Sequence, residues 1–298
     1  MNRVLVLALL LTSSALAQST DWDAGENPTA HLERASFRWW VPPDAKTVRG
    51  VLVIIPGRNG DARDAVHDAD WQALATRQGF ALMGCHLFKT DPTYQSDPDG
   101  STAKTIIKAV DELAKASGHP EAAKAPLAFW GHSAGSNTAE RFAFRHARRT
   151  LAIASIKGTW GPGDANPQKN DVPILCCIGK TDKPEWVETA CQKYEAGKQG
   201  RAVWVLALHP TEGHGGGATK PLALAFLDEV ITLRLGEPGG LASSSPKKLS
   251  ASSGWLGDPE TLEIASSSDF RGKKRSATWL PGESTATAWK AYLSGTSP

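Results

Sequence analysis

The chain has 298 residues, of which 41% are hydrophobic and 21% are charged, and its formal net charge at pH 7 is only +2. This length is enough for one large α/β domain with a substantial core. The near-neutral charge, and the lack of a basic run interleaved with aromatic residues, argue against a nucleic-acid-binding protein.

The N-terminal residues have the pattern of a secretory signal peptide. Residues 1–17 begin with the basic Arg3, continue with an apolar core at 4–11 and end in a small-residue cleavage site at Ala17. That core is too short to span a bilayer. We therefore expect a secreted or periplasmic protein with no membrane span. A buried N-terminal strand is the alternative.

Apolar runs alternate with amphipathic segments along most of the chain. The predicted strands are residues 36–41, 50–55, 80–85, 126–130, 151–156, 173–178 and 202–208. The predicted helices are residues 62–79, a segment capped by Ser101, and residues 137–148, 185–196 and 220–235. Such an alternation predicts an α/β fold whose mostly parallel central sheet has helices on both faces.

The most informative motif is Gly-His-Ser-Ala-Gly at residues 131–135, between a predicted strand and a predicted helix. A serine on a sharp strand-to-helix turn exposes its hydroxyl, and flanking glycines remove side chains that would clash in so tight a bend. A chance match is the alternative in a chain with 28 glycines. The flanking strand and helix favour a nucleophile elbow with Ser133 as the catalytic residue.

A candidate acid follows a later strand. In an open α/β sheet the active groups lie at the carboxyl ends of the strands, and Asp182 comes shortly after the strand at 173–178. There it can orient a histidine and stabilise its charged form. Its alternative role is the N-cap of the following helix. Glu185 is the fallback acid.

A candidate base follows the last predicted strand. His214 lies among glycines after the strand at 202–208, and these glycines let the backbone bend so that the imidazole reaches the serine. His209, at the end of that strand, is the competing base. The chain order Ser133, Asp182, His214 is the one expected of α/β-hydrolases.

An ester-cleaving serine also needs two backbone donors for the oxyanion. The N–H of Ala134, directly after the serine, is the first candidate. Pro56 and Gly57 form a bend after the strand at 50–55, and this bend exposes the N–H of Arg58 as the second candidate. A purely structural turn is the alternative for this segment.

Candidate substrate-binding residues surround these positions. The insert at 158–171 is short and lacks apolar periodicity, unlike the helical lid that lipases of the α/β-hydrolase fold usually carry. That comparison implies no large lid and an open cleft for bulky or polymeric substrates. Trp160 in this insert can stack on a sugar or aromatic ring, or it can pack under the loop. Trp186, Asn59 and His132 are the further candidates.

Residues 36–235 resemble the secreted α/β-hydrolases, with 131–135 as the elbow, Asp182 as the acid and His214 as the base. Within that superfamily the chain is similar to feruloyl and acetylxylan esterases, polyhydroxybutyrate depolymerases and related polyester hydrolases. At residues 56–58 it has Pro-Gly-Arg where cutinase-like members have Pro-Gly-aromatic. The resemblance implies a serine esterase without a cofactor, acting on bulky or polymer-linked esters. The alternative is a catalytically silent secreted binding protein on the same scaffold.

The C-terminal part of the chain changes in composition. We assign residues 18–235 to the catalytic domain and residues 236–298 to a linker and tail. The tail carries Trp255, Trp279 and Trp289, too much aromatic surface to remain in water. We expect it to pack on the catalytic domain of a monomer. A small carbohydrate-binding appendage is the alternative.

The four cysteines, Cys85, Cys176, Cys177 and Cys191, show no metal-ligand spacing, so no metal site is expected. In the strand order usual for the resembled fold, Cys85 lies about four strands, or roughly 19 Å, from Cys176 and Cys177. A disulfide tolerates a Cα separation of only about 7 Å. Cys85 is therefore predicted to be a free thiol, and any bridge should join Cys191 to Cys176 or Cys177.

Overall fold

The computed structural model describes residues 20–29, 32–90, 97, 99–158, 171–237 and 246–295. The predicted signal peptide at 1–17 lies outside the described residues, and so do Trp160 and most of its insert. The predictions for these segments stay predictions.

Eleven strands and six α-helices make up the described part of the chain. The strands are β1 (Thr20–Thr29), β2 (Leu32–Trp40), β3 (Gly50–Ile55), β4 (Phe80–Phe88), β5 (Leu127–His132), β6 (Thr150–Ile156), β7 (Ile174–Gly179), β8 (Trp204–His209), β9 (Trp255–Gly257), β10 (Ile264–Ser266) and β11 (Thr278–Leu280). The helices are α1 (Ala69–Gln78), α2 (Ser101–Ala116), α3 (Ala134–Arg145), α4 (Pro184–Gln199), α5 (Lys220–Leu235) and α6 (Glu283–Ser294).

Eight of these strands form one sheet in the order β1-β2-β4-β3-β5-β6-β7-β8. Strands β3 to β8 run parallel to one another, whereas β2 is antiparallel to both β1 and β4. The predicted mostly parallel sheet is confirmed. Strand β1 was not predicted, because its sequence TDWDAGENPT has no strand-like run of apolar residues.

Both faces of the sheet are buried, and β3 illustrates why. Its side chains alternate, so that Val51 and Val53 point into one core cluster and Leu52 and Ile54 into the other. Helices α2, α3 and α4 cover the first face, and α1, α5 and α6 cover the second. The predicted arrangement of helices on both faces is therefore confirmed.

One predicted helix is interrupted. The prediction of a continuous helix over 62–79 is wrong, because a 3₁₀ turn at Arg63–His67 is followed by a break at Asp68. The Asp68 backbone is extended, and its carboxylate accepts hydrogen bonds from the N–H groups of Asp70 and Trp71. This is an N-cap interaction, and it starts α1 as a separate helix.

The predicted cap of α2 is also corrected. Ser101 is the first helical residue, and Gly100 occupies the cap position with a φ of 74°. The Asp97 carboxylate accepts the N–H groups of Thr102 and Ala103 at 2.8 and 3.2 Å. A side chain four residues before the helix thus replaces the local serine cap, which sequence spacing alone does not reveal.

The C-terminal segment covers the edge of the main sheet. Strand β8 is the last strand of that sheet, so one of its sides would otherwise present unpaired backbone groups. The N–H of Leu206 donates to Thr278 Oγ1 at 2.8 Å, and the carbonyl of Leu206 accepts from Trp289 Nε1 at 2.7 Å. Two tail side chains therefore cap the edge strand.

Helix α6 is anchored to the body of the protein at its N-terminus. The Glu229 carboxylate on α5 accepts the N–H groups of Ser284 and Thr285 at 2.9 and 3.1 Å, which stabilises the positive end of the helix. Trp289 is fully buried and Trp279 is 6% exposed, both in the cluster beneath α5. Neither indole is free to form a platform for sugar stacking.

All four cysteines are free thiols. Cys85 lies on β4 and the Cys176-Cys177 pair lies on β7, four strands away, so the prediction of an unbridged Cys85 is confirmed. Burial raises the pKa of the Cys176 thiol to about 12, which keeps it protonated at neutral pH. None of the described helices is long and apolar enough to cross a membrane.

Candidate active site

Ser133 lies in a sharp turn between β5 and α3. Its φ is 52° and its ψ is −117°, a region that costs a residue with a side chain about 1–3 kcal/mol. The surrounding structure holds it there, since its N–H donates to the carbonyl of Ile156 at 2.8 Å. Such a sharp, strained turn is the geometry that a nucleophile elbow requires.

The flanking glycines are required by close backbone approaches. A Cβ on Gly131 would lie 2.6 Å from the backbone carbon of Gly135, and a Cβ on Gly135 would collide with the carbonyl oxygen of Ile55. These contacts let α3 begin at Ala134, directly after the serine. The predicted helix start at residue 137 is therefore wrong by one turn.

The structure brings Ser133, His214 and Asp182 together. His214 Nε2 lies 2.8 Å from Ser133 Oγ, and His214 Nδ1 lies 2.6 Å from Asp182 Oδ2. The Asp182 side chain is 6% exposed and the His214 side chain is 33% exposed. The three residues follow β5, β7 and β8, whose carboxyl ends lie along the same edge of the parallel sheet.

The hydrogen bonds also fix which imidazole nitrogen carries the proton. A carboxylate only accepts, so Nδ1–H of His214 donates to Asp182 and the lone pair of Nε2 faces the Ser133 hydroxyl. The other carboxylate oxygen of Asp182 accepts the N–H of Lys183 at 2.8 Å. Lys183 itself occupies the N-cap position of α4, so the alternative role of Asp182 as the helix cap is wrong.

The fallback acid and the competing base have other surroundings. Glu185 is exposed in the first turn of α4. His209 is buried, and its Nδ1 accepts hydrogen bonds from the N–H groups of Thr211 and Glu212 at 3.3 and 3.1 Å. His209 thus holds the backbone of the loop that carries His214. The histidine within hydrogen-bond distance of Ser133 is His214.

The segments that carry the two candidate oxyanion donors both adjoin the serine. Ala134 is the first residue of α3, where an N–H group has no acceptor within the helix. The other donor, Arg58, lies in a turn closed by a 2.9 Å hydrogen bond from the Gly60 N–H to the Gly57 carbonyl. A Cβ on Gly57 would lie 3.8 Å from that of Ser133. The turn is thus both a structural turn and a neighbour of the nucleophile.

Solved structures with the same architecture include a poly(3-hydroxybutyrate) depolymerase from Bordetella parapertussis, with a TM-score of 0.53 and 16% identity over 71% of this chain and 89% of that one. An esterase from Pyrococcus furiosus has a TM-score of 0.52 and 13% identity, and the match covers 72% of this chain and 92% of that one. A ferulic acid esterase has a TM-score of 0.50 and 9% identity, and the match covers 72% of this chain and 98% of that one. The chain has an α/β-hydrolase fold. No protein-family model and no curated protein matches the sequence.

Two of the predicted substrate-binding side chains, those of Asn59 and His132, form hydrogen bonds with the backbone of the protein. The Asn59 amide donates to the carbonyl of Lys89 at 3.0 Å and accepts its N–H at 3.1 Å, which ties the loop after β3 to the end of β4. His132 Nε2 lies 2.8 Å from the backbone carbonyl oxygen of His214. Burial lowers the pKa of His132, so its ring is neutral at pH 7.

Trp186 is the aromatic side chain next to the candidate base. Its ring centroid lies 4.8 Å from that of His214 at a 54° tilt, and Lys183 Nζ lies 4.2 Å from the ring centroid. The residue is half-buried. Trp186 therefore borders the imidazole, where an indole can contact an acyl or alcohol group.

Two ion pairs that the sequence pattern does not predict lie on elements and loops around the site. Lys193 Nζ on α4 lies 2.7 Å from Glu140 Oε1 on α3, and Ser155 donates to the same oxygen at 2.7 Å. Lys157 Nζ lies 2.7 Å from Glu212 Oε2. The signal for Lys157 was its position directly after β6, at the active edge of the sheet. Among the described residues no cluster of His, Cys, Asp and Glu could hold a metal ion.

Proposed function

We propose that this chain is a carboxylic-ester hydrolase with Ser133 as its nucleophile. The observation that carries the proposal is the pair of hydrogen bonds, 2.8 and 2.6 Å long, that link Ser133 to His214 and His214 to Asp182. A serine hydroxyl is a weak nucleophile until an adjacent base takes its proton. The imidazole has the position and the tautomer to do so.

In the proposed reaction Ser133 Oγ attacks the ester carbonyl carbon while His214 Nε2 removes the hydroxyl proton. The tetrahedral intermediate collapses, the bond to the alcohol oxygen breaks, and His214 returns the proton to the leaving alcohol. A water molecule, deprotonated by the same imidazole, then hydrolyses the acyl-enzyme. Asp182 stabilises the imidazolium in each half of the reaction.

The backbone N–H groups of Ala134 and Arg58 would hold the negative oxygen of the intermediate. Each such donor is worth roughly 3 kcal/mol of barrier. The support is positional, because Ala134 begins α3 beside the serine and the turn that contains Arg58 adjoins it through Gly57. The reaction needs no cofactor.

We propose bulky or polymer-linked substrates, such as feruloyl or acetyl esters of carbohydrates, or polyesters. The half-buried indole of Trp186 beside His214 offers an aromatic surface next to the reacting bond. Two of the solved structures that share the fold are named as a poly(3-hydroxybutyrate) depolymerase and a ferulic acid esterase. The export that residues 1–17 predict would bring the protein to such polymers outside the cell.

The second candidate function is a silent binding protein on a hydrolase scaffold. Loss of one member of the triad would favour it, and the contacts of Ser133, His214 and Asp182 favour the enzyme instead. A panel of p-nitrophenyl esters of rising chain length, methyl ferulate, acetylated xylan and poly(3-hydroxybutyrate) distinguishes the two functions. Binding to a polymer without hydrolysis of any ester would support the silent protein.

The matched control for this panel is Ser133→Ala. We expect a loss of several orders of magnitude in turnover and a change in the free energy of unfolding of less than about 1 kcal/mol, because the hydroxyl contributes little packing. Retention of most of the esterase activity by Ser133→Ala would contradict the proposed function.

A further inference from the structure

A buried polar cluster connects the C-terminal helix to the loop of the candidate base. Lys157 Nζ lies 2.7 Å from Glu212 Oε2 and 3.1 Å from the Tyr292 hydroxyl oxygen. The Tyr292 hydroxyl donates to the same Glu212 oxygen at 2.7 Å. The Lys157 side chain is fully buried and that of Glu212 is 16% exposed. A lysine, a carboxylate and a phenol thus form a closed triangle of contacts beneath the site.

Glu212 is the centre of the loop that carries His214. Its other carboxylate oxygen accepts the N–H of Ala218 at 2.9 Å, so the loop wraps around the carboxylate. Its backbone carbonyl accepts the N–H of Thr181 at 3.0 Å. Because Thr181 directly precedes Asp182, Glu212 joins the loop that carries His214 to the loop that carries Asp182.

Burial by itself would raise the pKa of the Glu212 carboxyl. The hydrogen bonds from Lys157, Tyr292 and the Ala218 N–H outweigh burial and hold that pKa below its usual value. The carboxylate is therefore ionised at neutral pH and remains an acceptor for all three donors. These hydrogen bonds therefore anchor the Glu212 side chain throughout the pH range in which an imidazole acts as a base.

This anchor matters because the loop has little rigidity of its own. Residues 213, 215, 216 and 217 are glycines around His214, and glycine has the greatest backbone freedom of any residue. His214 must nevertheless stay within hydrogen-bond distance of both Ser133 and Asp182. The conformation of the loop is thus set by Glu212 on its N-terminal side and by the groups that hold the Glu212 carboxylate.

Tyr292 brings the C-terminal segment into this arrangement. It lies on α6, eighty residues along the chain from Glu212. Its ring also packs on His209 with centroids 4.8 Å apart, and His209 in turn accepts the N–H of Glu212. Tyr292 therefore contacts both groups involved in holding Glu212. It donates to the Glu212 carboxylate, and it packs on the imidazole that accepts the Glu212 N–H.

We propose that Tyr292 is a positioning residue for His214 that acts through Glu212, so that the C-terminal helix completes the active site. The proposal rests on the proposed function of Ser133 and His214. Loss of the phenol hydroxyl leaves the Glu212 carboxylate with one donor fewer, and the imidazole spends less time in the geometry that accepts the serine proton.

The chain offers a matched control for a Tyr292→Phe variant. Tyr194 is also buried, and its hydroxyl lies 3.1 Å from Thr278 Oγ1. This pair joins α4 to β11 and thus also ties the C-terminal segment to the core. Tyr194→Phe removes an equivalent tie that has no contact with the base loop. A merely structural role of Tyr292 would make the two variants behave alike.

The experiment compares wild type, Tyr292→Phe and Tyr194→Phe in two measurements. One is the pH profile of ester hydrolysis, and the other is the rate at which a fluorophosphonate probe labels Ser133, which requires no knowledge of the natural substrate. We expect Tyr292→Phe to lower kcat and the labelling rate by about 10-fold, with KM nearly unchanged, because a small misplacement of the base is costly. Tyr194→Phe should match wild type.

The acidic limb of the pH profile is a further test. A looser loop weakens the hydrogen bond from His214 to Asp182, so the acidic limb should move in Tyr292→Phe and stay in place in Tyr194→Phe. Wild-type kcat, labelling rate and pH profile in Tyr292→Phe would overturn the proposal, and so would an equal loss in Tyr194→Phe. Activity that survives Ser133→Ala, or a wild-type Ser133 that is not labelled, would instead overturn the proposed function.

Discussion

His132 and His214 are joined by a hydrogen bond 2.8 Å long from the Nε2–H of the first ring to the backbone carbonyl of the second residue. A carbonyl oxygen only accepts, so the proton of the neutral His132 ring lies on Nε2. Because His132 directly precedes Ser133, the elbow itself holds the backbone of the candidate base. The nucleophile and the base are thus positioned relative to each other by the chain as well as by their own contact.

This contact predicts a positioning effect of His132 on turnover. His132→Leu removes the donor and should lower kcat about 5-fold, as expected for a hydrogen bond worth ~1 kcal/mol. His132→Gln keeps an N–H donor near the carbonyl and should retain more of the activity. Steady-state kinetics check this, and a large rise in KM with unchanged kcat would show that His132 binds substrate instead.

The choice of acid predicts a large difference between two neighbouring carboxylates. Asp182→Asn cannot hold the Nδ1–H tautomer of His214, and we expect kcat to fall by about 10⁴-fold. Glu185→Gln is the matched control, because this carboxylate is exposed three residues further on. Comparable loss in both variants, or full activity in Asp182→Asn, would show that the 2.6 Å contact is not the functional one.

The position of the Trp186 indole beside His214 predicts that the enzyme prefers aromatic esters. Removal of the indole in Trp186→Ala should raise KM for methyl ferulate by about 5-fold, since an aromatic contact contributes about 1 kcal/mol. KM for the hydrolysis of methyl acetate, which has no aromatic ring, should change less. Trp186→Phe keeps a ring beside His214 and should retain most of the affinity. Equal effects of both variants on all esters would contradict this role.

The buried pair of Glu140 and Lys193 predicts a stability effect. Glu140→Gln leaves the buried Lys193 ammonium without its counter-charge and should lower the free energy of unfolding by about 3–5 kcal/mol. Asp111→Asn breaks the exposed pair with Lys115 and should leave the free energy of unfolding nearly unchanged, because water screens that pair. Urea denaturation measures both values, and similar losses would contradict the argument from burial.

Local patterns predicted those elements whose boundaries are encoded nearby. The predicted bounds of β3 and α5 match the structure, because a buried apolar run ends at Pro56 and the helix ends before Gly236. Ser133, Asp182 and His214 each follow one of the parallel strands, and they meet at one edge of the sheet. Parallel strands bring their carboxyl ends together, so this meeting follows from topology.

The predictions failed where polar side chains, rather than the apolar pattern, decide the outcome. The break before α1 depends on the conformation of Asp68, and the cap of α2 comes from Asp97 across a loop. The contact between Glu212 and Tyr292 joins residues far apart in the chain. Hydrophobic periodicity reports which face of an element is buried. It does not report which buried polar side chain meets another.

Every proposed step depends on the activation of Ser133 by His214. Peptide mapping by mass spectrometry after treatment with a fluorophosphonate probe tests this activation. We expect the adduct on the peptide that carries Ser133, with labelling slowed by several orders of magnitude in His214→Ala. An adduct on a different serine, or labelling of Ser133 that is as fast in His214→Ala as in the wild type, would contradict the account.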